Sequence, residues 1–98
     1  MDLEYLLLGS QRALLGEVIP ELRAVIVNYD FEDLILTVNF YYDCEVTNEI
    51  YDLSSCIATE ISCNFTIDEL NHVDENILEW RHPKKIPTHE NLVFLRKE

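Results

Sequence analysis

Two adjacent apolar runs constrain the fold of this chain more than any other feature. LRAVIVNY (residues 22–29) is rich in β-branched residues. LILTVNFYY (residues 34–42) alternates, with Leu34, Leu36, Val38 and Phe40 on one side and Ile35, Thr37, Asn39 and Tyr41 on the other. Only the acidic turn Asp30-Phe31-Glu32-Asp33 separates them. Two β runs joined by about four turn residues make an antiparallel hairpin. A sheet with one buried face therefore lies at the centre of any fold this chain adopts.

Helical periods flank that hairpin. Asp2 is placed to cap a first helix running to about Leu15, with Leu3, Leu6, Leu7 and Leu14 near helical spacing and Gly16 as its stop before Pro20. Gly9 and Ser10 weaken its middle and leave two shorter pieces open. After Cys44 the period changes again: Ile50, Leu53, Ile57 and Ile61 form one stripe of an amphipathic helix, which Thr47 or Asn48 can cap. Beside the stripe, Glu49, Asp52, Cys56 and Glu60 follow at steps of 3, 4 and 4, so three carboxylates share the solvent side.

The last third is weaker in pattern. Residues 66–76 (TIDELNHVDEN) read as a loop or a loose helical turn, ILEWR (77–81) as a strand, HPKKIPTHEN (82–91) as a loop and LVFLR (92–96) as a closing strand. The expectation is an α+β domain in the order α-β-β-α-β-β, with a four-stranded antiparallel sheet and two helices on one face. At 98 residues it is a single domain, residues 1–98.

Charge is the distinguishing quantity. Nineteen acids against seven bases give −12. From Ala24 through Trp80 there are thirteen acids and no Lys or Arg, so the middle of the chain carries the whole imbalance. Such a surface repels nucleic acid and anionic membrane and attracts basic proteins or cations. The stretch YYDCEVTNEIYD (41–52) is the densest part, with tyrosines that can anchor and carboxylates that can match Lys and Arg. The partner-binding candidates are Tyr42, Asp43, Glu45, Glu49, Asp52 and Glu60. Solubility alone is the plainer reading of the same charge.

Catalytic patterns are wanting. His72, His82 and His89 are widely spaced in expected loops, and zinc sites bring closer Cys or His pairs, so no metal and no cofactor is expected. Gly9 and Gly16 are the only glycines, which excludes a P-loop, and no calcium-loop pattern occurs. Cys44, Cys56 and Cys63 lack C-x-x-C spacing and read as reduced thiols, which leaves the sequon Asn64-Phe65-Thr66 unused. The start MDLEYLLLGS is acidic with a short apolar run, and no stretch reaches membrane-span length, so a cytoplasmic protein is expected. The residues favour a binding protein over an enzyme, though a Cys–His hydrolase stays open. So does a structural or regulatory module, self-associating as a homodimer through the exposed hairpin edge.

Three segments, SQRALLGEVIPELRAV (10–25), FYYD (40–43) and LVFLRKE (92–98), together resemble small bacterial immunity proteins of contact-dependent growth inhibition and other polymorphic toxin systems. The resemblance implies a non-enzymatic cytoplasmic protein that binds and neutralises a basic toxin domain, often a nuclease. It supplies no binding residues of its own.

Overall fold

The structure is a computed structural model that describes residues 1–87 and 91–98. The elements run α1 (Leu3–Leu14), β1 (Leu22–Asp30), β2 (Ile35–Tyr42), α2 (Asn48–Ser62), β3 (His72–Glu79) and β4 (Leu92–Leu95). His89 lies outside the described residues.

The hairpin forms at the centre. β1 and β2 pair antiparallel, and Leu36, Val38, Phe40 and Tyr42 project from β2 to join Leu22, Val25 and Val27 in the main core. Asp30 pins the turn by accepting from the backbone N–H groups of Glu32 (2.9 Å) and Asp33 (3.0 Å), which also holds its carboxyl below the usual range. Leu34 takes a positive φ of 57° as the chain re-enters the sheet.

Both helices supply the layer above. Asp2 caps α1 by accepting from the Tyr5 N–H at 2.8 Å, and Gly16 ends that turn with φ 80°. The helix is continuous through Gly9 and Ser10. A side chain on Gly9 would meet the carboxamide of Asn64 at 2.6 Å, so the glycine admits the end of α2 against α1. Thr47 caps α2, and Ile57 and Ile61 are fully buried with Ile50 and Leu53 packed beside them. Burying such side chains contributes about 1.5–3 kcal/mol each.

The sheet is four-stranded but mixed, in the spatial order β3-β2-β1-β4, and this corrects the antiparallel expectation. β3 pairs with β2 in parallel, from Ile35 opposite His72 to Tyr42 opposite Glu79. The cause is α2: its 15 residues return the chain to the end of the sheet where β2 began, so the next strand must run alongside β2. β3 also starts earlier than its hydrophobic residues suggest. The segment His72–Asn76 is strand rather than loop, because pairing with β2 outweighs the low β-propensity of Asp, Glu and Asn. β3 and β4, consecutive in the chain, lie at opposite edges of the sheet. The hairpin edge expected to be exposed is therefore largely occupied: β2 is covered by β3 along its length, and β1 by β4 from Ala24 to Ile26.

After β3, residues 80–87 form a strap over the face away from the helices. Trp80 packs edge-on against Tyr41 (centroids 5.3 Å), and Ile86 and Leu92 join them over Ala24 and Ile26. Arg23 ties this strap down. It is the extra residue of a bulge between Leu22 and Ala24, and it is 2% exposed. Its guanidinium donates to the carbonyls of Trp80 (2.7 Å) and Lys84 (2.6 Å) and to both carboxylate oxygens of Glu98 (2.6 and 2.7 Å).

Arg23→Met leaves those carbonyls and the Glu98 carboxylate without their donor and should lower unfolding free energy by about 3 kcal/mol in urea titrations. Glu98 is pulled down to about 2, first by its hydrogen bonds from Arg23. A depressed carboxyl stabilises the fold above its unfolded value and loses that contribution as pH falls toward the folded value. Glu98→Gln should therefore melt below the parent at pH 7, with the gap closing between about pH 4.5 and pH 2.

Candidate functional site

The carboxylates left over after folding mark the candidate surface. Glu49, Asp52, Cys56 and Glu60 are exposed along the outer side of α2, where Asp52, Ser55, Cys56, Thr59 and Glu60 line a shallow depression. Glu49 lies in the first turn, where the helix N-terminus favours negative charge. Glu45 is exposed in the connection that enters the helix, and Tyr51, 53% exposed, stands among these acids. Among the described residues Glu45, Glu49, Asp52 and Glu60 make no ion pair.

Two of the sequence candidates are otherwise engaged. Tyr42 is fully buried, and its hydroxyl shares a 2.8 Å hydrogen bond with Ser54. Burial pushes its phenol up, and its ring belongs to the core rather than to a contact surface. Strand alternation aims Tyr42 at the helices and Tyr41 at the strap, so neither ring reaches solvent as an anchor. Asp43 is half-buried and accepts from the His82 backbone N–H (2.8 Å) and from Arg96 (3.0 Å), which together hold its carboxyl low. It fastens the strap and the C-terminal tail to the end of β2.

The structure adds Asp74 and Glu75, which the sequence reading placed in a loop, and Glu79, which it placed in a strand. Ser55 of α2 donates to Glu75 at 3.4 Å, so β3 lies beside the helix, and Asp74 and Glu79 are exposed on the same strand. The signal was the alternation Val73, Glu75, Ile77, whose apolar members pack on the core. A second cluster sits at the far end, where Asn71 donates to the Leu34 carbonyl and Tyr29 packs between Phe31 and Phe65. Glu69 there binds the N-terminal ammonium and the Thr66 N–H, which lowers its carboxyl.

The bases lie elsewhere. Arg81, Lys84 and Lys85 follow the strap, with Lys84 over the Trp80 ring at 3.7 Å, and Arg96 and Lys97 are in the tail. Arg23, Arg81 and Arg96 are each bonded to a carboxylate. Among the described residues no group of three His, Cys, Asp or Glu side chains could hold a metal ion, and no helix is long and apolar enough to cross a membrane. Cys44 is half-buried with its thiol pushed up by burial, whereas Cys56 and Cys63 are exposed. His72 stands on β3 beside Asp74 (2.7 Å), and the His82 N–H is bonded to Asp43.

Fold and surface thus define a small acidic α+β protein with a strip of exposed carboxylates on α2 beside the acid-bearing edge strand β3. The model of the MafI2 immunity protein family matches residues 4–98, and the chain belongs to that family. It is an immunity protein, a class that acts against a cognate toxin. No curated protein matches the sequence.

Tyr42→Phe separates packing from recognition. It should cost about 1 kcal/mol in chemical unfolding, from the lost bond to Ser54, and leave toxin affinity unchanged in calorimetric titration.

Proposed function

We propose that this immunity protein neutralises its toxin by binding a basic domain, of the nuclease type, and covering its active site or substrate cleft with the acidic α2 flank. The observation that carries the reading is the set of exposed carboxylates Glu45, Glu49, Asp52 and Glu60, which no base among the described residues answers. Their mutual repulsion is a cost to the isolated fold that a cationic surface would remove. A nuclease cleft already holds positive charge to receive phosphate, so it has the matching field. The protein acts in this scheme as a stoichiometric inhibitor in the cytoplasm, with no cofactor and no chemistry of its own.

The scheme predicts that Glu49→Lys, Asp52→Lys and Glu60→Lys together abolish protection in a toxin co-expression assay while circular dichroism stays native. Full protection by that triple variant would reject α2 as the site. Association measured by stopped flow should slow by about tenfold or more as salt rises from low to physiological, where the Debye length is about 8 Å. A salt-independent rate would remove the electrostatic argument.

A further inference from the structure

The outer edge of β3 presents main-chain hydrogen-bonding groups beside the acidic helix. β3 has β2 on one side and, among the described residues, no strand on the other. The His72 and Trp80 N–H groups point to β2, bonding the carbonyls of Leu34 and Tyr42. With the period of two in a strand, the backbone groups of Val73, Glu75, Ile77 and Glu79 then point outward. That is an eight-residue strand presenting an open row of donors and acceptors.

Such an edge pairs with any extended chain unless something prevents it. Here the guard is acidic: Asp74, Glu75 and Glu79 stand on the strand and neither Lys nor Arg does, although Glu79 is bonded to Arg81 just beyond it (2.8 Å) and Asp74 to His72 (2.7 Å). A second copy laid antiparallel on the same edge would set these carboxylates against their own kind, which destabilises cross-strand pairs. A cationic strand meets the opposite situation. The α2 acids extend the same field, joined to β3 through the Ser55–Glu75 contact.

We infer that an extended, Lys- or Arg-bearing segment of the toxin adds to the sheet as a strand alongside β3. This rests on the toxin-binding reading above and supplies its geometry: main-chain bonds fix the register, and the flanking carboxylates select the partner. The carboxylates alone would give attraction without a register.

Amide hydrogen exchange by NMR, with and without an inactivated toxin domain taken from the reading frame immediately upstream, tests the inference. In the free protein the amides of Asp74, Asn76 and Leu78 should be protected and those of Val73, Glu75, Ile77 and Glu79 should exchange freely. The toxin should slow the second set by about tenfold or more. Glu75→Pro removes one outward N–H without breaking the ladder to β2 and is tolerated on an edge strand. It should weaken binding on the order of 30-fold relative to Glu75→Gln, which removes the charge alone. Toxin binding with those four amides still exchanging freely overturns strand addition and leaves the immunity reading intact. Absence of binding overturns both. Protection that rises with protein concentration in the absence of toxin assigns the edge to a second copy and overturns the inference. If Glu75→Pro fails to fold, the exchange pattern of the parent decides alone.

Discussion

The passage from β2 through α2 to β3 is the constraint on which the arrangement depends. A helix long enough to traverse the sheet returns the chain to the start of β2, so β3 must run parallel to it and can lie only beside the hairpin. That single return places the acidic face of α2 next to the acidic strand β3. It also leaves β3 and β4 at opposite edges of the sheet, and residues 80–87 lie on the face that the helices leave bare. Arg23 holds them there by supplying the carbonyls of Trp80 and Lys84 with a buried donor.

The two classes of carboxylate in the molecule follow from this geometry. Asp30, Asp43, Glu69 and Glu98 accept hydrogen bonds from turns, the strap, the N-terminus or Arg23, and all four are held below the usual carboxylate range. They are part of the fold. Among the described residues Glu45, Glu49, Asp52 and Glu60 make no ion pair, and the last three share one side of α2. A net charge of −12 on 98 residues destabilises the compact state through self-repulsion. Solubility would be served as well by acids spread evenly. The strip on α2, where Glu49, Asp52 and Glu60 follow one another with no ion pair among the described residues, is the feature that the proposed toxin contact uses and solubility does not require.

The parts legible in the sequence are those where local period and burial agree. The hairpin, the Asp2 and Thr47 caps, the Ile57–Ile61 stripe and the three-carboxylate strip on α2 were all readable from spacing. The parallel pairing was not read, although a strand, a helix and a strand in succession carried it. Residues 72–76 were missed because their strand character comes from β2 rather than from their own propensities. Tyr42 was misplaced for a related reason. Its neighbours are charged, but the alternation through Leu36, Val38 and Phe40 continues to it and points it inward. The Arg23 bulge had no signal at all: an arginine between Leu22 and Ala24 reads as an exposed position until the strap and Glu98 are brought over it.

On the proposed reading, the charged helix and the open strand edge divide the work of recognition between them. Exposed carboxylates act over a Debye length of about 8 Å and raise encounter rates, but their contribution in water is small and tolerant of orientation. Main-chain pairing is short in range and demands a register, so it contributes lifetime rather than encounter. A partner that had only the charge would associate fast and leave fast; one that had only the strand would be turned away by Asp74, Glu75 and Glu79 unless it carried bases. Requiring both narrows the set of partners without any deep pocket. A shallow, mostly polar surface on a chain of this size can be specific on those terms.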